Sequence, residues 1–214
     1  MRGEVAMGAR VVDLKTWARA DQFRFFRGFE RPHYAITSRV DVSRLKGARR
    51  EGLSPFRACV WAIGAGVHAV PELRMRFRGE VVTEYERVEV SMAVPLADGN
   101  FNYAYVPWEP GFDAFDRVCR ERIEAVRAGV PLAANDGSRD DLAYLSCLPW
   151  LDYTSLDNAL PHAADCIPRV SWGKFTDAGG RWSCAMTIQV HHALVDGRQV
   201  GEFFAGVQAA LDGL

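Results

Sequence analysis

The sequence predicts one mixed α/β domain built on a large sheet. Three observations predict it. Apolar residues recur at helical spacing in two internal runs and one terminal run, short β-rich runs lie between them, and two long β arms late in the chain flank Asp177-Ala178-Gly179-Gly180. No repeat, low-complexity tract or linker divides residues 1–214, so their 214 residues read as a single domain with a substantial core.

The elements follow in order. Trp17, Phe23, Phe26 and Phe29, interleaved with Arg and Asp, predict an amphipathic helix between Thr16 and Phe29 with Arg19 on its first turn. His33 to Val42 alternates Tyr34, Ile36 and Val40 and reads as a strand, followed by a loop holding Lys46, Arg49 and Arg50. Ser54 and Pro55 supply an N-cap and a first-turn proline, and the helix they open runs through Cys59, Ile63 and Val67 to stop before Pro71.

Gly64-Ala65-Gly66-Val67-His68-Ala69 in that helix has the look of a dinucleotide fingerprint. That motif must follow a strand and open a helix, whereas these glycines fall late inside one, so it is rejected. Met75–Phe77, Val81–Val82, Val88–Val94 and Asn102–Trp108 predict an antiparallel meander. Phe112, Phe115, Cys119, Ile123 and Val126 predict a helix closed by Gly129 and Pro131. Strands are expected at Leu142–Leu148, around Trp150–Leu156, and at Cys166–Phe175, the last joined by a hairpin to Arg181–His191. Val200, Phe203, Val207 and Leu211 form one face of a final helix.

Composition narrows the function. Hydrophobic residues make up 49% and charged residues 25%, a globular composition. With 26 basic against 27 acidic residues, no cationic excess is available for a nucleic-acid backbone. The longest apolar run, Cys59 to Val70, contains His68 and is shorter than the ~20 residues of a membrane span. The first residues lack the apolar core of a secretory signal, so a cytoplasmic protein is expected. Cys59, Cys119, Cys147, Cys166 and Cys184 are scattered without a C-x-x-C pair and read as reduced, mostly buried thiols.

Chemistry concentrates where the strongest late strand meets the last helix, in His191-His192-Ala193-Leu194-Val195-Asp196-Gly197. Adjacent strand residues face opposite ways, so only one of the two histidines faces a given cavity. An imidazole there titrates near neutrality and can take a proton from a hydroxyl if its tautomer is fixed. Spacing leaves a second reading open: Asp196 caps the helix, and His192 is a hydrogen-bonded strand end. Diverging side chains and the lack of a third suitably spaced histidine argue against zinc, and no G-x-S-x-G nucleophile elbow is present.

The segment HHALVDG resembles the H-H-x-x-x-D-G signature of the chloramphenicol acetyltransferases. The segments VVDLKTWARADQFRFF, SPFRACVWAI, PELRMRFRGE, LPWLDYTSL and MTIQVHHALVDG fall in the order of that family along nearly the whole chain. The resemblance implies a two-layer α/β sandwich with a large mixed sheet, assembled as a homotrimer with active sites between subunits. It also implies acetyl-CoA as co-substrate, a small-molecule acceptor and no metal. Residue by residue, His192 matches the general base, Ser146 the donor to the oxyanion, and Asp196 with Arg19 a supporting pair. Lys174 matches a lysine that approaches the CoA phosphate, while EGLSPF lacks the family's second lysine, for which Arg49 or Arg50 could substitute.

Phe26, Tyr34 and Phe101 match the aromatic acceptor wall, Leu156 stands where phenylalanine is typical, and Ser171 replaces a threonine. Glu30, Arg31 and His33 add polarity where the family is less charged. Besides chloramphenicol O-acetylation, two readings therefore stay open: transfer to another hydroxyl or an amine in a biosynthetic pathway, and non-catalytic binding of an aromatic ligand.

Overall fold

The computed structural model describes residues 8–48 and 50–214; Arg49, named above as a substitute cation, lies outside the described residues. In chain order the elements are β1 (Ala9–Val11), α1 (Ala20–Phe26), β2 (His33–Asp41), α2 (Ser43–Gly47), α3 (Pro55–Ala69), a 3₁₀ turn (Pro71–Arg74), β3 (Met75–Arg78), β4 (Val81–Tyr85), β5 (Glu89–Pro95), β6 (Phe101–Pro107), α4 (Phe112–Arg127), β7 (Leu142–Leu148), β8 (Arg169–Gly173), β9 (Thr176–Ala178), β10 (Arg181–His191) and α5 (Gly197–Asp212).

The main sheet runs β2-β10-β8-β7-β5-β6, with β9 also paired to β10. It is mixed: β7 runs parallel to both β5 and β8, and its other pairings are antiparallel. One face carries Val90, Met92, Leu145, Val170, Met186 and Ile188, buried with the apolar stripes of α3, α4 and α5. Burial of these side chains, each worth about 1.5–3 kcal/mol, welds the helical layer to the sheet.

The capping of α3 is as expected, with Ser54 Oγ accepting from the Arg57 amide at 3.4 Å. Its glycines serve packing. A Cβ at Gly64 would collide with the Trp108 indole, and one at Gly66 would sit 2.8 Å from the Phe203 carbonyl oxygen. Gly179 and Gly180, with φ of 66° and 89°, form the two-residue turn between β9 and β10, a conformation that favours glycine at both positions.

Several expectations need correction. The meander does not exist as one unit, because β3 and β4 join β1 in a separate three-stranded sheet while β5 and β6 enter the main one. No strand forms around Trp150–Leu156. Both ladder sides of β7 are taken by β5 and β8, so the chain leaving Leu148 has no free edge of its own to pair with. Regular structure in Cys166–Phe175 is confined to β8: Pro168, immediately before it, has no N–H for a ladder, although its carbonyl accepts from Tyr144 at 2.9 Å. The first helix is shorter than expected, and Arg19 stands just before α1 rather than within it.

Candidate active site

The turn after β10 is wired from within the chain. The His191 carbonyl accepts from the Leu194 and Val195 amides at 3.0 and 3.1 Å, and the His192 amide donates to the Pro32 carbonyl at 2.8 Å. Asp196 then occupies the cap position of α5, with its backbone amide donating to Gln199 Oε1 at 3.0 Å. Its carboxylate does other work. Both oxygens accept from the Arg19 guanidinium, Oδ1 at 2.7 Å.

Arg19 is 9% exposed. It also donates to the His192 carbonyl at 2.7 Å and the Ala193 carbonyl at 3.2 Å. One planar fork thus grips a carboxylate and two carbonyls of the same turn, a geometry that lysine cannot reproduce. The Arg19 hydrogen bond holds the Asp196 carboxyl below its ordinary range, so it is ionised at neutral pH.

This arrangement fixes the His192 ring. Nδ1 lies 3.2 Å from the Val195 carbonyl oxygen and 3.2 Å from Asp196 Oδ1. Both neighbours are acceptors only, so Nδ1 carries the proton and the Nε2 lone pair is free. Phe26 stacks on one face with ring centroids 3.7 Å apart, and the Tyr34 ring tilts against it at 4.8 Å. The Tyr34 hydroxyl donates to the Val195 carbonyl at 3.2 Å, and burial pushes its pKa up to about 12. The His192 side chain remains 36% exposed, open to a reactant.

The second group lies on the face of the sheet opposite the buried Leu145, Val170 and Ile188. Register aligns Ser146, Ser171, Thr187 and Thr37 in one row across β7, β8, β10 and β2, with the two threonine hydroxyls 2.6 Å apart. Ser146 and Ser171 line a cavity of about 1340 Å³ together with Phe101, Tyr103, Tyr105 and Tyr144. The aromatics on β6 alternate, and that period-2 pattern was the signal by which sequence reasoning could have added Tyr103 and Tyr105 to Phe101. Burial raises the neighbouring Cys147 thiol to about 12, so no thiolate nucleophile stands beside Ser146.

The two groups do not meet within one chain. His192 lies five positions beyond the Ser146 row and two strands away, on the order of 19 Å at ordinary strand spacings. Arg19, Phe26, Tyr34 and His192 are absent from the lining of the cavity that holds Ser146, Ser171 and Phe101. Leu156, half-buried, and Lys174, exposed in the β8–β9 turn, also stand outside that lining. Arg50, the other substitute cation, is paired with Asp113.

The sequence model of the chloramphenicol acetyltransferase family matches residues 7–208. The chain belongs to that family. It is accordingly an acyltransferase. Chloramphenicol acetyltransferase 3 of Escherichia coli is 24% identical over 199 residues, covering 92% of this chain and 93% of the relative. A Bacillus pumilus chloramphenicol acetyltransferase is 24% identical over 192 residues, covering 88% and 87%. A solved chloramphenicol acetyltransferase superposes with a TM-score of 0.84 at 24% identity, over 95% of this chain and 99% of that one. A probable dihydrolipoamide acetyltransferase from Listeria monocytogenes shares the fold at a TM-score of 0.68 and 15% identity, over 94% and 93%.

Proposed function

We propose that the protein is a CoA-dependent O-acetyltransferase acting on chloramphenicol or a similar small molecule, in the cytoplasm. The observation that carries this reading is the fixed tautomer of His192, whose Nδ1 faces only acceptors. Its free Nε2 takes the proton of the acceptor hydroxyl, and the resulting oxygen nucleophile attacks the thioester carbonyl of acetyl-CoA directly. The oxyanion collapses with cleavage of the C–S bond, CoA leaves as its thiolate and takes back the proton held on His192 Nε2, and no acyl-enzyme forms. Ser146 donates to the oxyanion that develops on the carbonyl, a contribution worth about 10²–10³ in rate. Asp196 and Arg19 hold the base turn, and Asp196 favours the imidazolium that forms during transfer.

In this reading the His192 half of one subunit faces the Ser146 half of its neighbour, in a homotrimer with active sites between subunits. The separation of the two groups within a chain supports it. Phe26, Tyr34, Phe101, Leu156 and Ser171 shape the acceptor pocket, and Lys174 approaches the CoA phosphate as a point charge.

The test is release of free thiol from acetyl-CoA with chloramphenicol and a panel of hydroxyl and amine acceptors. Turnover dependent on a hydroxyl acceptor and abolished in His192→Ala supports the mechanism; full activity in that variant overturns it.

A further inference from the structure

His191 is a buried titratable group that proton transfer leaves unused, and it is 2% exposed. Both of its ring nitrogens are committed. Nδ1 accepts from the Ala193 amide at 3.1 Å, so the proton sits on Nε2, which donates to the Ala163 carbonyl at 3.0 Å. Burial pushes its pKa down to about 4, which keeps the ring neutral. Neighbouring His192 holds the opposite tautomer.

The two bonds reach different parts of the molecule. Ala193 belongs to the turn that carries His192, and its carbonyl is also held by Arg19. Ala163 belongs to the segment in which Pro161, His162 and Asp165 wall the cavity. His33, in register with His191 on β2, meets the Asp165 carbonyl and packs edge-on to His191 at 4.8 Å, while Phe77 closes another side at 4.9 Å. The ring is therefore locked between the base and the cavity wall.

We propose that His191 is a positioning residue that ties the two together, orienting the His192 turn through Nδ1 and holding the cavity wall through Nε2. This rests on the reading of His192 as the base. Asparagine and glutamine separate the two bonds: His191→Asn retains an acceptor where Nδ1 stands, and His191→Gln retains a donor where Nε2 stands.

The experiment combines steady-state kinetics of both variants with ¹⁵N NMR of the imidazoles in the intact protein. Expected are a kcat loss of about 10- to 100-fold in His191→Gln with acceptor KM nearly unchanged. His191→Asn should keep kcat within about 3-fold and raise acceptor KM instead. The wild-type spectra should show Nε2–H for His191 and Nδ1–H for His192, with His192 losing its single tautomer in His191→Gln. Identical kinetic effects in the two variants, no effect in either, or Nδ1–H on His191 would overturn the proposal. The tautomers are read without turnover, so a failure of the acetyl-transfer reading is distinguishable; should His191→Gln not fold, the wild-type tautomers and His191→Asn still decide.

Discussion

The base turn and the hydroxyl face differ in how completely one chain builds them. Around His192 one chain supplies Arg19, Asp196, the Val195 carbonyl, Phe26 and Tyr34 as orienting groups. Around Ser146 the chain supplies a row of hydroxyls and an aromatic wall over an open cavity whose lining does not include His192. A turn that must hold one tautomer needs short-range covalent and hydrogen-bonded continuity. An oxyanion donor needs only a rigid sheet beneath it, and the reacting atoms can be brought to it from elsewhere.

The largest effect should come from breaking the base side. His192→Ala is expected to lower kcat by about 10²–10⁴ with an unchanged fold, read from thiol release and circular dichroism. Ser146→Ala, on the other side, should cost about 10²–10³ in kcat with little change in acceptor KM. If either variant loses less than 10-fold, roughly one decade short of those figures, that half of the comparison is wrong.

The support beneath the base should show itself in stability as well as rate. Asp196 is ionised with its pKa lowered by Arg19. Its stabilising effect is therefore present above the unfolded-state value of about 4 and lost as pH falls through the lower folded value. Asp196→Asn should unfold at lower temperature than the wild type at neutral pH, and the gap should narrow below about pH 4; a constant gap across that range would remove the ion pair from the explanation. The smallest effect belongs to Lys174, exposed beyond both regions. Lys174→Ala should raise KM for acetyl-CoA by about 5-fold at most, with kcat retained and salt sensitivity reduced.

What the sequence revealed depended on whether the signal was local. Helix α3 was legible because Ser54, Pro55 and the apolar period all sit inside it, and the β9–β10 turn because two glycines demand it. The segment after Leu148 misled, since strand-forming composition says nothing about whether a ladder partner is free. The contact of Arg19 with Asp196 spans 177 positions and came from resemblance rather than spacing. His192 was singled out from its motif, yet its tautomer is set by Asp196 together with the Val195 backbone carbonyl, a contact that no residue pattern encodes. Strand alternation separated His191 from His192, but the two hydrogen bonds of the His191 ring follow from the fold alone.

The central claim, that a working site takes its base from one copy and its oxyanion donor from another, is tested most directly by mixing. His192→Ala and Ser146→Ala subunits, each nearly inactive alone, are unfolded, combined in equal amounts and refolded together. In a cyclic trimer each mixed assembly contains one site with both intact halves, so activity should recover to about a quarter of the wild type. Mixed trimers that form but stay as inactive as their parents would contradict the account.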